Sequence, residues 1–80
     1  MKIIEATIKR IEDLCNEQNI TITALAYRSG LSPSTLKNII YGSSNNPGIT
    51  TIKIICDGLE ISIKEFFNCE LFDDLEQEIC

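Results

Sequence analysis

Residues Arg28–Gly42 read RSGLSPSTLKNIIYG, a stop signal and a start signal with almost nothing between them. Gly30 can take the left-handed conformation that ends a helix. Ser32 can accept a hydrogen bond from the free amides of the next helix. Pro33 suits the first helical position, where its missing N–H would be unpaired in any case. Two short helices joined this tightly must cross steeply. The second, at nine residues, is too short to be stable alone, so its neighbours must hold it in place.

The same reasoning extends in both directions. Toward the N-terminus, Ile4, Ile8, Ile11 and Cys15, with Leu14 beside them, recur at helical spacing, which predicts an amphipathic helix over 2–18. Asn19 tolerates left-handed geometry and can end it. Thr21 caps a short second helix whose inward residues are Ile22, Leu25 and Ala26. The third helix spans 33–41, with Leu36, Ile39 and Ile40 apolar, and Gly42–Gly48 is a loop. Ile49, Ile52, Ile55, Cys56 and Leu59 make a fourth helix. Ser62 and Glu65 form a capping box opening a fifth, with Phe66 and Phe67 inward. Leu71, Phe72, Leu75 and Ile79 are spaced for one further helix with an acidic outer face. The reading is an all-α, compact five-helix domain over 1–68, containing a helix-turn-helix unit at 21–42, followed by a short acidic helical tail at 69–80.

Eighty residues, 44% hydrophobic and 24% charged, suit one small globular domain. Early charge and periodic apolar residues at the start argue against a signal peptide, and no apolar run approaches the ~20 residues that span a bilayer. A cytoplasmic protein is expected. The cysteines at 15, 56, 69 and 80 lack the close pairs and the histidine of a zinc site, and a cytosolic setting disfavours disulfides. Cys15 and Cys56 read as core residues, and Cys80 as a free thiol. No metal, cofactor or small-molecule site is expected. Neither is an enzyme: there is no histidine, no nucleophile beside a base, and no Gly-rich phosphate loop before a helix.

The net charge of −5 seems to oppose a nucleic-acid partner, but its distribution does not. Residues 65–80 hold Glu65, Glu70, Asp73, Asp74, Glu76 and Glu78 with no Lys or Arg, so residues 1–64 sum to +1. No Asp or Glu occurs from Gln18 to Cys56, a span that contains Arg28, Lys37 and Lys53. A surface that must lie against phosphate excludes carboxylates.

Ala26, Gly30, Leu31, Leu36 and Ile39 sit at the spacings of a helix-turn-helix, a unit that presents one helix to the DNA major groove. Ala26 lets the two helices approach, Gly30 permits the turn, and Leu31 plugs the space beneath it. Residues 20–67 resemble the Cro/phage-repressor (XRE-like, lambda-repressor-like) helix-turn-helix family. The resemblance rests on five pieces in order: Thr21–Ala26, Gly30–Thr35, Gly42, Asn46-Pro47-Gly48-Ile49-x-x-Ile52, and Ile55-Cys56-x-x-Leu59-x-Ile61-Ser62-Ile63-x-Glu65-Phe66-Phe67.

The resemblance implies a sequence-specific transcriptional regulator, a repressor by type, that reads duplex DNA with the helix 33–41. By position it puts Pro33, Ser34, Thr35, Lys37 and Asn38 at the bases, and Thr21, Ser32, Ser43, Ser44 and Asn45 at phosphates. It also implies a homodimer on a palindromic operator; of the apolar residues Phe67, Leu71, Phe72, Leu75 and Ile79, some are expected to fold back on the first helix through Ile4, Ile8 and Ile11 and the rest to form the two-fold contact. Three positions depart from the family pattern. Ile22 replaces a phosphate-contacting Gln, Ile40 replaces a Glu and should add apolar surface, and Glu60 replaces a Gly at a turn, at about 1 kcal/mol. The competing reading is a protein-interaction module on the same fold with a degenerate DNA face.

Overall fold

The helices begin and end where local chemistry dictates. In the computed structural model, which describes residues 1–42 and 46–79, five helices follow in order: α1 (Ile3–Gln18), α2 (Ile22–Ser29), α3 (Pro33–Tyr41), α4 (Ile49–Leu59) and α5 (Ile63–Phe67). At the start of α1 the backbone N–H of Lys2 donates to Glu5 Oε1 at 2.8 Å. Hydroxyl oxygens of Thr21, Ser32 and Ser62 accept from Ala24, Thr35 and Glu65 N–H at the starts of α2, α3 and α5.

Helices α1, α2 and α4 share one ending. Asn19 (φ 58°), Gly30 (φ 71°) and Glu60 (φ 59°) adopt the left-handed conformation. The next residue, Ile20, Leu31 or Ile61, donates its N–H back to Cys15, Ala26 or Cys56 respectively, and each of these apolar side chains packs against the core. The substitution of Glu60 for a turn glycine therefore leaves the turn geometry intact, with Glu60 itself in the unfavourable region.

The core draws on all five helices, with Ile11, Leu25, Leu36, Ile55, Leu59 and Phe66 among its fully buried side chains. Helix α2 lies chiefly against α4 and next against α3. Its approach to α4 is so close that a Cβ on Gly58 would lie 2.1 Å from Ser29 Oγ and 3.2 Å from Leu25 Cδ1. Two side chains of α1 tie down other helix ends: Gln18 Nε2 donates to Leu59 O at 2.7 Å, and Arg10 donates to Phe66 O and Glu65 O at 2.8 and 2.9 Å. Cys15 and Cys56 are core residues as expected, and burial raises both thiols above their usual range. Cys80 lies outside the described residues.

Two expectations need correction. Ile40 adds no apolar surface: it is 6% exposed and belongs to the core, because it lies one turn after Leu36 on the inner side of α3. The tail forms no helix through its apolar positions. It makes only a 3-10 turn, Glu70–Phe72, and no further helix among the described residues. Glu70 with Asp74, and Asp74 with Glu78, would be like charges four apart on a helix too short to bear them. The segment instead follows tertiary contacts. Phe72 packs against Phe66 and Phe67 with ring centroids 6.1 and 4.9 Å apart. Further along, Glu76 N–H donates to Met1 O at 3.0 Å, and Glu76 Oε2 pairs with the Met1 amine at 3.0 Å.

Candidate functional site

The outward side of α3 is built by its own caps and its buried face. Pro33 starts the helix. Ser32 Oγ, besides accepting from Thr35 N–H, lies 2.7 Å from Thr35 Oγ1 and 3.2 Å from Ser34 Oγ, so three hydroxyls gather at an N-terminus that carries partial positive charge. Leu36 and Ile40 are buried, and Pro33 and Ile39 are half-buried beside them. At about 100° per residue, the opposite face carries Ser34, Asn38 and Tyr41 along its crest, flanked by Lys37 and Thr35. All five are exposed.

Three of these side chains are also unengaged. Among the described residues, Lys37, Asn38 and Tyr41 have no side-chain hydrogen bond or ion pair within the chain. Elsewhere Lys9 pairs with Asp13, Lys53 pairs with Asp57, and Arg10 caps α5. The two cations of the helix-turn-helix unit, Arg28 and Lys37, are exposed and form no ion pair among the described residues. Thr21 Oγ1 accepts from Ala24 N–H at 3.0 Å, which leaves its O–H free to donate outward.

Of the residues expected at the bases, Ser34, Thr35, Lys37 and Asn38 share this exposed face and Pro33 lies at its inner edge. Of those expected at phosphates, Thr21 and Ser32 occupy the N-caps of α2 and α3, while Ser43, Ser44 and Asn45 lie outside the described residues. The residues expected in a dimer contact are largely engaged within the chain. Phe67, Leu71, Phe72 and Leu75 are half-buried, and only Ile79, 81% exposed, stands free.

The sequence reading passed over Tyr41, which is 68% exposed. Its spacing was the available signal: it follows Asn38 by three residues and Ser34 by seven, which keeps all three on one helical face. Arg28 and Tyr27, the latter 71% exposed, likewise lie on the outer side of α2.

A family model of the Cro/C1-type HTH DNA-binding domain matches residues 10–71. Among solved structures, the prophage Lp1 protein 11 superposes with a TM-score of 0.80 at 34% identity, over 94% of this chain and 100% of that one. The wild-type restriction-modification controller protein C.Esp1396I superposes with a TM-score of 0.78 at 27% identity, over 91% of this chain and 90% of that one. No curated protein gives a significant match. No described helix is long and apolar enough to cross a membrane.

Proposed function

The chain belongs to the Cro/C1-type family of helix-turn-helix DNA-binding domains, and on that premise we propose a sequence-specific transcriptional repressor that lays α3 in the major groove. The observation that carries this reading is the outward face of α3, where Ser34, Lys37, Asn38 and Tyr41 are exposed and none of the last three has a side-chain partner among the described residues. Exposed polar groups on a helix held by its neighbours need no rearrangement to meet base edges.

In this reading Asn38 pairs bidentately with adenine and Lys37 donates to guanine. Ser34 and Thr35 offer hydroxyls that suit either base, and Pro33 makes apolar contact. Thr21 and Ser32 donate to phosphates at the two helix N-termini, and Ser43, Ser44 and Asn45 continue that track. Tyr41, roughly 10 Å along the helix from Ser34, meets the groove wall, where its phenol donates to the sugar–phosphate backbone. The domain at 1–68 does the binding. The tail at 69–80 points away from the duplex, because its carboxylates are repelled by phosphate. One short helix touches few bases, so two copies read a palindromic operator in the cytoplasm and block a promoter by occupying it. No catalytic step is involved.

Selection of bound duplexes from a random-sequence pool, followed by gel shift, tests the proposal. The expected result is an enriched palindrome bound far more tightly than unrelated duplex, with an affinity that falls steeply as salt rises. Enrichment of nothing, with only weak binding that ignores sequence, overturns it and favours a protein partner for the same face.

A further inference from the structure

We infer that Thr35 reads thymine through its methyl group, while its hydroxyl serves the cap of α3. The inference rests on the DNA-binding reading above and narrows one contact of it, from a hydroxyl that suits either base to a methyl that suits one.

Three hydroxyls gather at the start of α3, and their spacings set them apart. Ser32 Oγ lies 2.7 Å from Thr35 Oγ1 and 3.2 Å from Ser34 Oγ. The first is the usual length of a bond between hydroxyls; the second lies beyond the ordinary range of about 2.5–3.0 Å. The Thr35 N–H also donates to Ser32 Oγ at 3.2 Å, which holds the serine hydroxyl over the first turn. The 2.7 Å contact then fixes χ1 of Thr35, the one torsion that places both its Oγ1 and its methyl. Ser34, held by the long contact alone, can turn its hydroxyl to a base.

The protons give the same division. A serine hydroxyl has one proton to donate and two lone pairs to fill. Ser32 accepts from the Thr35 N–H with one of them. If Ser32 donates to a phosphate, as in the reading above, its proton is not available to Thr35. The 2.7 Å bond then runs from the Thr35 O–H to Ser32 Oγ and fills the second lone pair. Thr35 has no proton left for a base.

What remains is its methyl group. Thr35 is exposed, and with Oγ1 turned back to the cap the methyl stands on the other side of Cβ. Thymine is the base that offers an apolar group in the major groove, its C5 methyl, and a threonine methyl is one of the groups that suit it. Two methyls that meet there leave water together.

The experiment measures binding of the full chain to the selected duplex by fluorescence anisotropy, with each thymine of one half-site replaced in turn by uracil. Uracil pairs in the same way and lacks only the methyl group. One replacement is expected to weaken wild-type binding about fourfold, the worth of one buried methyl. Thr35→Val keeps the methyl and should show the same loss at that position. Thr35→Ser keeps the hydroxyl and should bind the thymine and uracil duplexes equally there. Each comparison is made within one protein, so a change that a variant brings to the fold or to Ser32 cancels. The inference is overturned if no uracil weakens wild-type binding, or if Thr35→Ser keeps the full loss at every position. It is also overturned if Thr35→Val removes a loss that Thr35→Ser retains. Failure of the DNA-binding reading shows separately and earlier, as a pool from which no duplex is selected, and takes this inference with it.

Discussion

The helix-turn-helix unit and the C-terminal segment differ in sign of charge and in the use made of their polar groups. Residues 21–42 contain no Asp or Glu, and their two cations, Arg28 and Lys37, form no ion pair among the described residues. Residues 65–79 carry six carboxylates and no base, and the segment is tied to α1 and to the N-terminus. Arg10 holds the carbonyls of Glu65 and Phe66, and Glu76 holds Met1. The apolar residues follow the same division, with Phe66, Phe67 and Phe72 stacked together while α3 turns a polar side to solvent. A face left for a partner is one for which the fold supplies no internal partner. The C-terminal segment completes the fold against α1 and α4, and α4 in turn holds the helix-turn-helix unit through α2.

The strongest way to break this contrast is Phe66→Ala. Phe66 is 0% exposed, and its loss should destabilise the whole domain by about 3–5 kcal/mol, a large share of the stability of a domain this size. Urea unfolding followed by circular dichroism measures it. A loss under 1 kcal/mol would mean that the segment is not part of the core.

Gly58→Ala tests the scaffold under the helix-turn-helix unit. A methyl there meets Ser29 Oγ at 2.1 Å and both Ser29 Cβ and Leu25 Cδ1 at 3.2 Å, and overpacking of this kind costs about 1–3 kcal/mol. Ser29 Oγ is itself buried with no hydrogen-bond partner, so Ser29→Ala should be neutral or stabilising alone and should recover much of the loss in the double variant. Additive losses in that cycle would contradict the contact.

On the outward face the effect should move from stability to binding. Lys37→Ala and Asn38→Ala should each weaken binding to the selected duplex by roughly 1–3 kcal/mol and relax preference at one base position, with melting points unchanged. Unaltered affinity in both would remove α3 from the interface. Glu60→Gly sharpens the contrast from the opposite side. Relief of a non-glycine residue at φ 59° should stabilise the fold by about 1 kcal/mol and leave DNA affinity unchanged.

The smallest expected effect is the pH dependence of the Met1–Glu76 contact. The hydrogen bond first, and the ion pair with it, hold the Glu76 carboxyl below its ordinary value of 4.5 and raise the Met1 amine above its ordinary 8.0. The carboxylate's contribution is therefore present above pH 4.5 and lost as pH falls through the depressed value. The amine's is present below pH 8.0 and lost as pH rises through the raised value. Both groups are exposed, so the change is small. Glu76→Gln should flatten the difference in melting point between pH 6 and pH 3 slightly; no change between the two proteins across that range would show the contact to be idle.

Much of the fold and of the candidate site was legible because it rests on local chemistry. A serine followed by proline starts α3 whatever lies nearby, and Gly30 can take positive φ in any context. The inner face of α3 follows from spacing alone, which also assigns Ser34, Lys37 and Asn38 to the outside. Tyr41 obeys the same arithmetic, three residues after Asn38 on the same face. Ile40 was misjudged because a family glutamate at its position suggested surface, although its register with Leu36 points inward.

By itself, then, the sequence determined five helices and their caps, which depend on residues within about four positions of one another, and with them the helix-turn-helix unit and the carboxylate-free span. Only the tertiary structure decided the rest. Gly58 owes its role to Ser29 and Leu25, roughly thirty residues away, and Arg10 finds its acceptors 55 and 56 residues away. The tail has helical spacing but folds along the N-terminus, because like charges weaken it as a helix while Phe66, Phe67 and Met1 offer it contacts. A groove lined by Ile3, Pro47 and Ile49 comes from segments more than forty residues apart. Periodicity shows which side of a helix is apolar; whether that side meets the same chain, a second copy or water depends on what the rest of the fold brings to it.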